Sequence, residues 1–315
     1  MIEVVLLGTG GMMPLPGRWL ASAMLRSQGR AVLIDCGEGT QVAIRQYGFG
    51  FRAIETILLT HYHADHTAGL PGVLLAIAFA ERTEPVTIVG PVGLGQVLQA
   101  VVTLAGPLPF PLEARELADG AAFPAGPFLG SALAGDHRVP CLAYRLDLPR
   151  APRFLPERTQ ALGVPVEQWR ALQEGEPVVV GEQVVWPPAV LGPPRPGLSV
   201  GYLTDSRPTA QMPVFFADVD LLICEATFAD PAQAERARQR KHLLFREAAA
   251  LARASRARRL WLTHFSPALT DPARWKHEAE QEYPTVVVGT DGLQTVLRFA
   301  EEAEADAPGR ESLPG

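Results

Sequence analysis

An apolar run, IETILLT (54–60), ends directly on HYHADH (61–66), and this junction constrains the chain more than any other stretch. The run reads as a buried strand. Three imidazoles and a carboxylate so close together have few uses other than holding metal. His61 and His63 lie two apart on an extended segment, so both can face one way. Asp65 and His66 follow at the turn into a helical stretch. Four neighbouring donors crowd one tetrahedral ion. Two ions, each taking part of the cluster, relieve that crowding and demand ligands from elsewhere. His137 (AGDHRVP), Asp205 (YLTDS) and His264 (WLTHFS) are candidates, each at or beside a predicted strand end. Ligands on strand ends converge at one edge of a rigid frame. His277 lies on a charged helical stretch without partners in sequence and reads as an ordinary surface residue.

Around this junction strands and helices alternate. IEVVLLG (2–8) and RAVLIDCG (30–37) read as buried strands, HTAGLPGVLLAIAFA (66–80) as helical, PVTIVG (85–90) as a strand and VGLGQVLQAVVTL (92–104) as a helix. Short β-like pieces continue to VPCLAYRLDL (139–148). Residues 149–200 are crowded with proline, which suits an inserted arm better than core strands. Alternation resumes with LSVGYLTDS (198–206), DLLICEATF (220–228), a helical run over roughly 231–255 and the strand RRLWLTHFS (258–266). Each half carries strands plus covering helices, which predicts a β-sandwich with helices on its outer faces. The division expected is residues 1–148 as one half, 149–200 as the insertion and 201–300 as the other half. Residues 301–315 read as an acidic, flexible tail.

Composition excludes several classes. No apolar run is long enough to span a membrane, and MIEVVLLGTGG lacks the basic start of a secretion signal. Cys36, Cys141 and Cys224 have no paired spacing, so a disulfide framework is not expected and a reducing cytoplasm is. LLGTGGMM begins like a dinucleotide fingerprint, but Met13 occupies the third glycine position and Pro14 and Pro16 follow where a helix should open. These glycines read as serving a tight turn beside the active site.

Taken together, these stretches resemble the metallo-β-lactamase fold, whose hallmark is HxHxDH followed by His, Asp and His at later strand ends. The chain is most similar to its ribonuclease Z branch, the tRNA 3′-processing endonucleases, in DCGEGTQ (35–41), DHRVPCLAYR (136–145), YLTDSRP, CEATF (224–228) with KHLLFREAA, LTHFS and TDG (290–292). The resemblance implies an αββα four-layer sandwich with a protruding arm insertion. It implies two Zn2+ ions, with Mn2+ as a possible substitute. His61, His63 and His137 would hold one, Asp65, His66 and His264 the other, and Asp205 would bridge them, with Asp35 orienting the cluster from behind. It further implies precursor tRNA as substrate, a cytoplasmic homodimer and a 3′-OH product. The alternative is a related metallo-hydrolase acting on small phosphodiesters, esters or lactones.

Two ions suit phosphodiester hydrolysis: they lower the pKa of a shared water and neutralise a phosphate oxygen. Asp65 can orient that water and take its proton. His242, kept cationic by Glu225, is the candidate general acid for the leaving 3′-oxygen. Between Arg236 and Arg259 there are nine basic residues against one acid, Glu247, in a chain of net charge −6. Such a segment fits phosphate contacts, or equally a solvated helix face. Three stretches depart from the family. PLPGRW (14–19) stands where PxKxRN is usual, with Pro16 for the lysine and Trp19 for the asparagine. The insertion has no net charge, and THFSPAL lacks the Arg-Tyr that commonly follows HFS.

Overall fold

The computed structural model describes residues 1–300; the acidic tail expected over 301–315 lies outside the described residues. Two seven-stranded sheets carry the fold. In the first, the order is Gln294–Leu297, Ile2–Gly8, Ser22–Ser27, Arg30–Ile34, Ile54–Leu58, Val86–Gly90, Leu112–Glu116. Pairing is antiparallel up to Arg30–Ile34 and parallel beyond it. The second runs Val287–Val288, Leu260–Thr263, Leu221–Glu225, Arg195–Leu203, Leu142–Arg150, Phe128–Ala134, Ala122–Ala125. Its first four strands are parallel, and its last three antiparallel.

Three cores make four layers. The central one joins the sheets face to face through residues such as Leu6, Leu25, Leu58, Tyr144, Tyr202 and Ile223. The outer face of the first sheet is covered by the helices Thr40–Gln46, Leu70–Phe79 and Leu94–Ala105, and that of the second by Met212–Phe215, Phe245–Ala254 and Lys276–Glu280. Central strands are therefore buried on both faces, which is why Leu221–Glu225 is buried throughout and its first four residues read as a continuous apolar run. The covering helices show the one-sided pattern instead: Leu94, Leu98 and Val101 are the buried positions of Leu94–Ala105.

The chain separates into two compact units, the sandwich (1–148 with 198 onward) and residues 149–197. The second has its own small core of Val164, Leu172, Val178, Val185 and Val190. It contains the helices Pro156–Ala161 and Trp169–Gln173 and the hairpin Val178–Val180 with Gln183–Val185. The Trp169 indole N–H donates to the Val164 carbonyl at 3.0 Å.

Two helical stretches are shorter than their sequence suggests. The run expected over 66–80 divides into Ala64–Thr67 and Leu70–Phe79. At the division, a Cβ on Gly69 would lie 2.0 Å from the Gly37 carbonyl oxygen, so the chain passes too close there for any side chain. The run expected over 231–255 is broken more sharply: Ala234–Arg240 ends at Lys241, whose φ is 63°, and the helix restarts at Phe245. Leu243, Leu244 and Phe245 are consecutive and all buried, which no single helix face permits. The backbone instead bonds across to Phe228, whose N–H donates to the Leu243 carbonyl at 3.2 Å while Phe245 N–H donates to the Phe228 carbonyl at 2.9 Å. The helix Thr40–Gln46 and the strand Ser22–Ser27 are additions to the sequence reading. Arg26, reaching Glu3 on the neighbouring strand, masks the apolar character of the latter.

Candidate metal centre

The histidine cluster sits where the ends of both sheets meet. Residues 61–66 follow Ile54–Leu58 of the first sheet, and Asp35 follows Arg30–Ile34. From the second sheet, His137 lies between Phe128–Ala134 and Leu142–Arg150, Asp205 follows Arg195–Leu203, and His264 follows Leu260–Thr263. Cross-links fix this edge: the Leu142 N–H donates to the Thr60 carbonyl at 2.9 Å, and the Tyr144 hydroxyl to the Leu59 carbonyl at 2.7 Å. Asp35, Asp205 and His264 have φ of 57°, 39° and 60°. Non-glycine residues held in the left-handed region are costly and concentrate where function demands a particular aim.

Two nests of donors result. His61 Nε2 lies 2.9 Å from His63 Nδ1, and His137 Nε2 is 3.4 Å from that same His63 atom. Asp205 Oδ2 is 3.6 Å from His61 Nε2 and 3.7 Å from His137 Nε2. On the other side, His66 Nε2 and His264 Nε2 are 3.3 Å apart, and each is 3.6 Å from Asp65 Oδ2. Asp205 Oδ1 reaches this nest at 3.4 Å from His66 Nε2 and 3.0 Å from His264 Nε2. All seven residues singled out from the sequence thus meet here, and among the described residues Asp205 alone faces both nests.

The donors fit divalent cations. Asp205 Oδ1 is buried and accepts no hydrogen bond, although two ring nitrogens are near it. The ligand atoms of each nest lie within 4.8 Å of one another, and imidazole with carboxylate is a donor set suited to zinc or manganese. Ring orientation is set from behind. His66 Nδ1 lies 2.8 Å from Asp35 Oδ2, His61 Nδ1 3.2 Å from Thr60 Oγ1, and His264 Nδ1 2.9 Å from Thr227 Oγ1. Asp35 is itself held by the Thr60 N–H at 2.8 Å and the Thr60 hydroxyl at 2.9 Å. Asp65 Oδ2 accepts the Met12 N–H at 2.7 Å. Gly11 must be glycine, because a Cβ there would sit 2.6 Å from the His264 ring. The LLGTGG glycines therefore belong to this edge.

His242 emerges from the helix break beside the cluster. Its Nδ1 is 3.2 Å from Glu225 Oε1, and that carboxylate is buried and also accepts the Thr227 hydroxyl at 2.6 Å and the Ser206 N–H at 2.8 Å. Burial opposes protonation of His242, but the charge and hydrogen bond of Glu225 together with the Asp205 and Asp65 carboxylates outweigh it, and the pKa is pushed up to about 9. Burial alone would raise Glu225; the His242 charge and hydrogen bond hold it below the usual carboxylate range. Burial, then the neighbouring His66, press His61 well below the ordinary imidazole value, whereas for His66 the Asp35 and Asp205 carboxylates more than offset burial.

Arg207, in the stretch YLTDSRP, is a residue the sequence reading passed over. Its guanidinium donates to the His242 carbonyl at 2.6 Å and spans Glu247 at 2.8 and 2.5 Å. Its N–H donates to the Asp136 carbonyl at 3.0 Å, next to His137. Lys241 Nζ binds the Asp136 carboxylate at 2.7 Å. Thr227 and Thr60 were likewise legible only as parts of CEATF and ILLT, since a hydroxyl carries no metal signal of its own. The basic segment 236–259 does not form one patch. Arg238, Arg246, Arg253, Arg256 and Arg258 are each paired with a carboxylate. Arg236 and Arg240 line the cavity of about 390 Å³ that opens on Asp65, Asp205 and His242.

The departures also have places. Arg18 donates to the carbonyls of Leu269 and Thr270 at 2.8 and 3.0 Å, and the Trp19 N–H to Asp291 Oδ2 at 2.5 Å. Trp19 packs on Gly39, where a Cβ would meet its ring at 2.2 Å. His277 is exposed on Lys276–Glu280, its Nδ1 3.1 Å from the Arg274 carbonyl.

Residues 2–106 match a family model described as Anti-Pycsar protein Apyc1. Among solved structures, a metallo-β-lactamase fold protein, YhfI from Bacillus subtilis, superposes with a TM-score of 0.67 at 20% identity, covering 93% of this chain and 98% of that one. Human tRNase Z, short form, superposes with a TM-score of 0.66 at 26% identity over 94% of this chain and all of that one (100%). A ribonuclease Z of Lachnoclostridium phytofermentans is 42% identical over 300 residues, 95% of this chain and 99% of that protein. With the αββα sandwich, the seven donors at its edge and full-length identity at this level, the chain belongs to the ribonuclease Z family.

Proposed function

We propose that this protein is a metal-dependent endonuclease that removes 3′ trailers from precursor tRNA and leaves a 3′-OH. The observation that carries the reading is the single carboxylate, Asp205, facing two complete donor nests, with the Glu225–His242 pair against the same cavity. His61, His63 and His137 would hold one ion and Asp65, His66 and His264 the other, with Asp205 shared. Zinc is the ion proposed, with manganese as a substitute. When bound, the two ions neutralise charge growing on the phosphate and acidify water.

The chain's own groups do the rest. Asp65, fixed by the Met12 N–H, is placed to hold the attacking water and take its proton. His242 has Nδ1 committed to Glu225, which leaves Nε2 to give a proton to the departing ribose 3′-oxygen. Glu225 keeps that proton in place at neutral pH. Arg236 and Arg240 bring positive charge to the mouth of the cavity, and among the described residues neither is paired with a carboxylate. The three cysteines are free and buried, which suits the cytoplasm proposed as its compartment. A homodimer is proposed as the working form, and light scattering on the purified protein checks it.

The test is cleavage of a precursor tRNA carrying a 3′ trailer by metal-reconstituted protein. Cleavage at the trailer junction, lost in Asp65→Ala, is expected. Turnover of a chromogenic phosphodiester with the precursor left intact would instead favour a small-molecule hydrolase.

A further inference from the structure

The cleft does not stop at the metal centre. Its cavity shares Thr227, Phe228, Arg236 and Ser266 with a second hollow. That hollow shares Ala268, Leu269 and Trp275 with a third, of about 390 Å³, which Asp271, Arg274 and His277 also line. One groove thus leads from Asp205 to the ring pair Trp275–His277, whose centroids are 6.1 Å apart with 19° between planes. Its outer wall is the segment after HFS, where the sequence departs from the family pattern.

The groove brings together the aromatic faces of Phe228 and Trp275 and the guanidinium groups of Arg236 and Arg274, with Asp230 and Asp271 also in its lining. Phe228 comes first, with the Arg236 guanidinium 5.8 Å from its ring centroid. Trp275 comes next, half-buried against the core of the second sheet and so held as a fixed platform. Arg236 is exposed, and neither it nor Arg274 has a carboxylate partner among the described residues. Aromatic faces interleaved with arginine suit unpaired nucleotides, whose bases offer free faces for stacking. A duplex keeps those faces occupied.

We propose that this groove is a track for single-stranded RNA, and that the 3′ trailer beside the scissile phosphate stacks on Phe228 and Trp275 with its phosphates against Arg236 and Arg274. The inference rests on the trailer-cleaving reading above for the identity of the strand, but not for the stacking itself.

The test has two arms. In the first, fluorescence anisotropy follows a labelled ten-nucleotide oligouridylate and a duplex of equal length. The wild-type protein is expected to prefer the single strand. Trp275→Ala should weaken that binding by roughly 5- to 150-fold, the range of one lost base stack. Trp275→Phe, which keeps a ring and the packing beneath it, should restore most of the loss. Arg236→Gln, at an exposed site, should lower the salt slope by about 0.7, one phosphate contact. In the second arm, kcat/KM is measured on precursors with one-nucleotide and ten-nucleotide trailers, and Trp275→Ala should erase most of the advantage of the longer one. Equal losses on both precursors, or equal binding of single strand and duplex, would overturn the track. Single-strand binding lost in Trp275→Ala by a protein that cleaves no precursor would uphold the track and reject the endonuclease reading. Cleavage of both precursors with Trp275→Ala indifferent to trailer length would do the reverse.

Discussion

His242 is the residue whose role is most sharply testable. Its Nδ1 is 3.2 Å from Glu225 Oε1 but also 4.0 Å from Asp205 Oδ2, and with Asp205 and His264 it forms a third group of potential donors, so the metal content of the variant is measured beside its activity. Replacing it with alanine should cost about 10²–10⁴ in kcat on a substrate with a poor leaving group, and little on one whose leaving group needs no proton. Equal losses on both would remove the general-acid role. Glu225→Gln takes away the negative charge that raises the His242 pKa toward about 9. An acid catalyst is lost as pH rises through its pKa, so in this variant the alkaline limb of kcat should move to lower pH. A limb unmoved or moved upward would assign it to another group. At this scale the sequence was informative because histidine is scarce and each metal candidate stood at a strand end. Thr60, Thr227 and Arg207 were hidden because hydroxyls and guanidinium groups have many uses, and only three-dimensional contact selects one.

The break between Ala234–Arg240 and Phe245–Ala254 shows how an element is tuned for a site. Periodicity over 231–255 suggested one helix, because arginine and alanine favour it throughout. Three consecutive buried apolar residues overrule that preference, and the resulting loop carries His242 to the cluster. Arg207 holds the loop by binding the His242 carbonyl and both Glu247 oxygens, while Glu247 Oε2 also accepts the Leu244 N–H at 2.9 Å and so starts the next helix. Arg207→Met removes the guanidinium from the His242 carbonyl and leaves Glu247, among the described residues, with the Leu244 N–H alone. Turnover should fall about 10-fold or more while metal content is unchanged, with partial recovery on adding guanidinium ion. Loss of bound metal in the variant would place Arg207 in the ligand scaffold instead. The strands themselves were easier to read than the helices: a strand buried on both faces leaves an unbroken apolar run, whereas a helix interrupted by a close glycine approach, as at Gly69, keeps its pattern across the gap.

Across the whole molecule, the donors come from both sheets: residues 61–66 from the first, His137, Asp205 and His264 from the second. Ions bound there would clamp the sandwich at one edge as well as serve chemistry. Chelation should therefore lower the melting temperature by several degrees, since a ligand at about 100 times its Kd stabilises by about 2.7 kcal/mol, and restored metal should recover it. A melting temperature indifferent to chelator would mean that the edge is rigid without metal. The two-half sandwich was legible from alternation and ligand placement. The internal core of residues 149–197 was not, because short apolar pieces separated by proline look alike whether packed or extended. The most direct measurement is the number of divalent ions per chain after reconstitution and removal of excess, determined by elemental analysis on the wild type and on Asp205→Ala. Two per wild-type chain, with a clear deficit in the variant, is the expected result; one or fewer in the wild type would contradict a shared carboxylate between two metal positions.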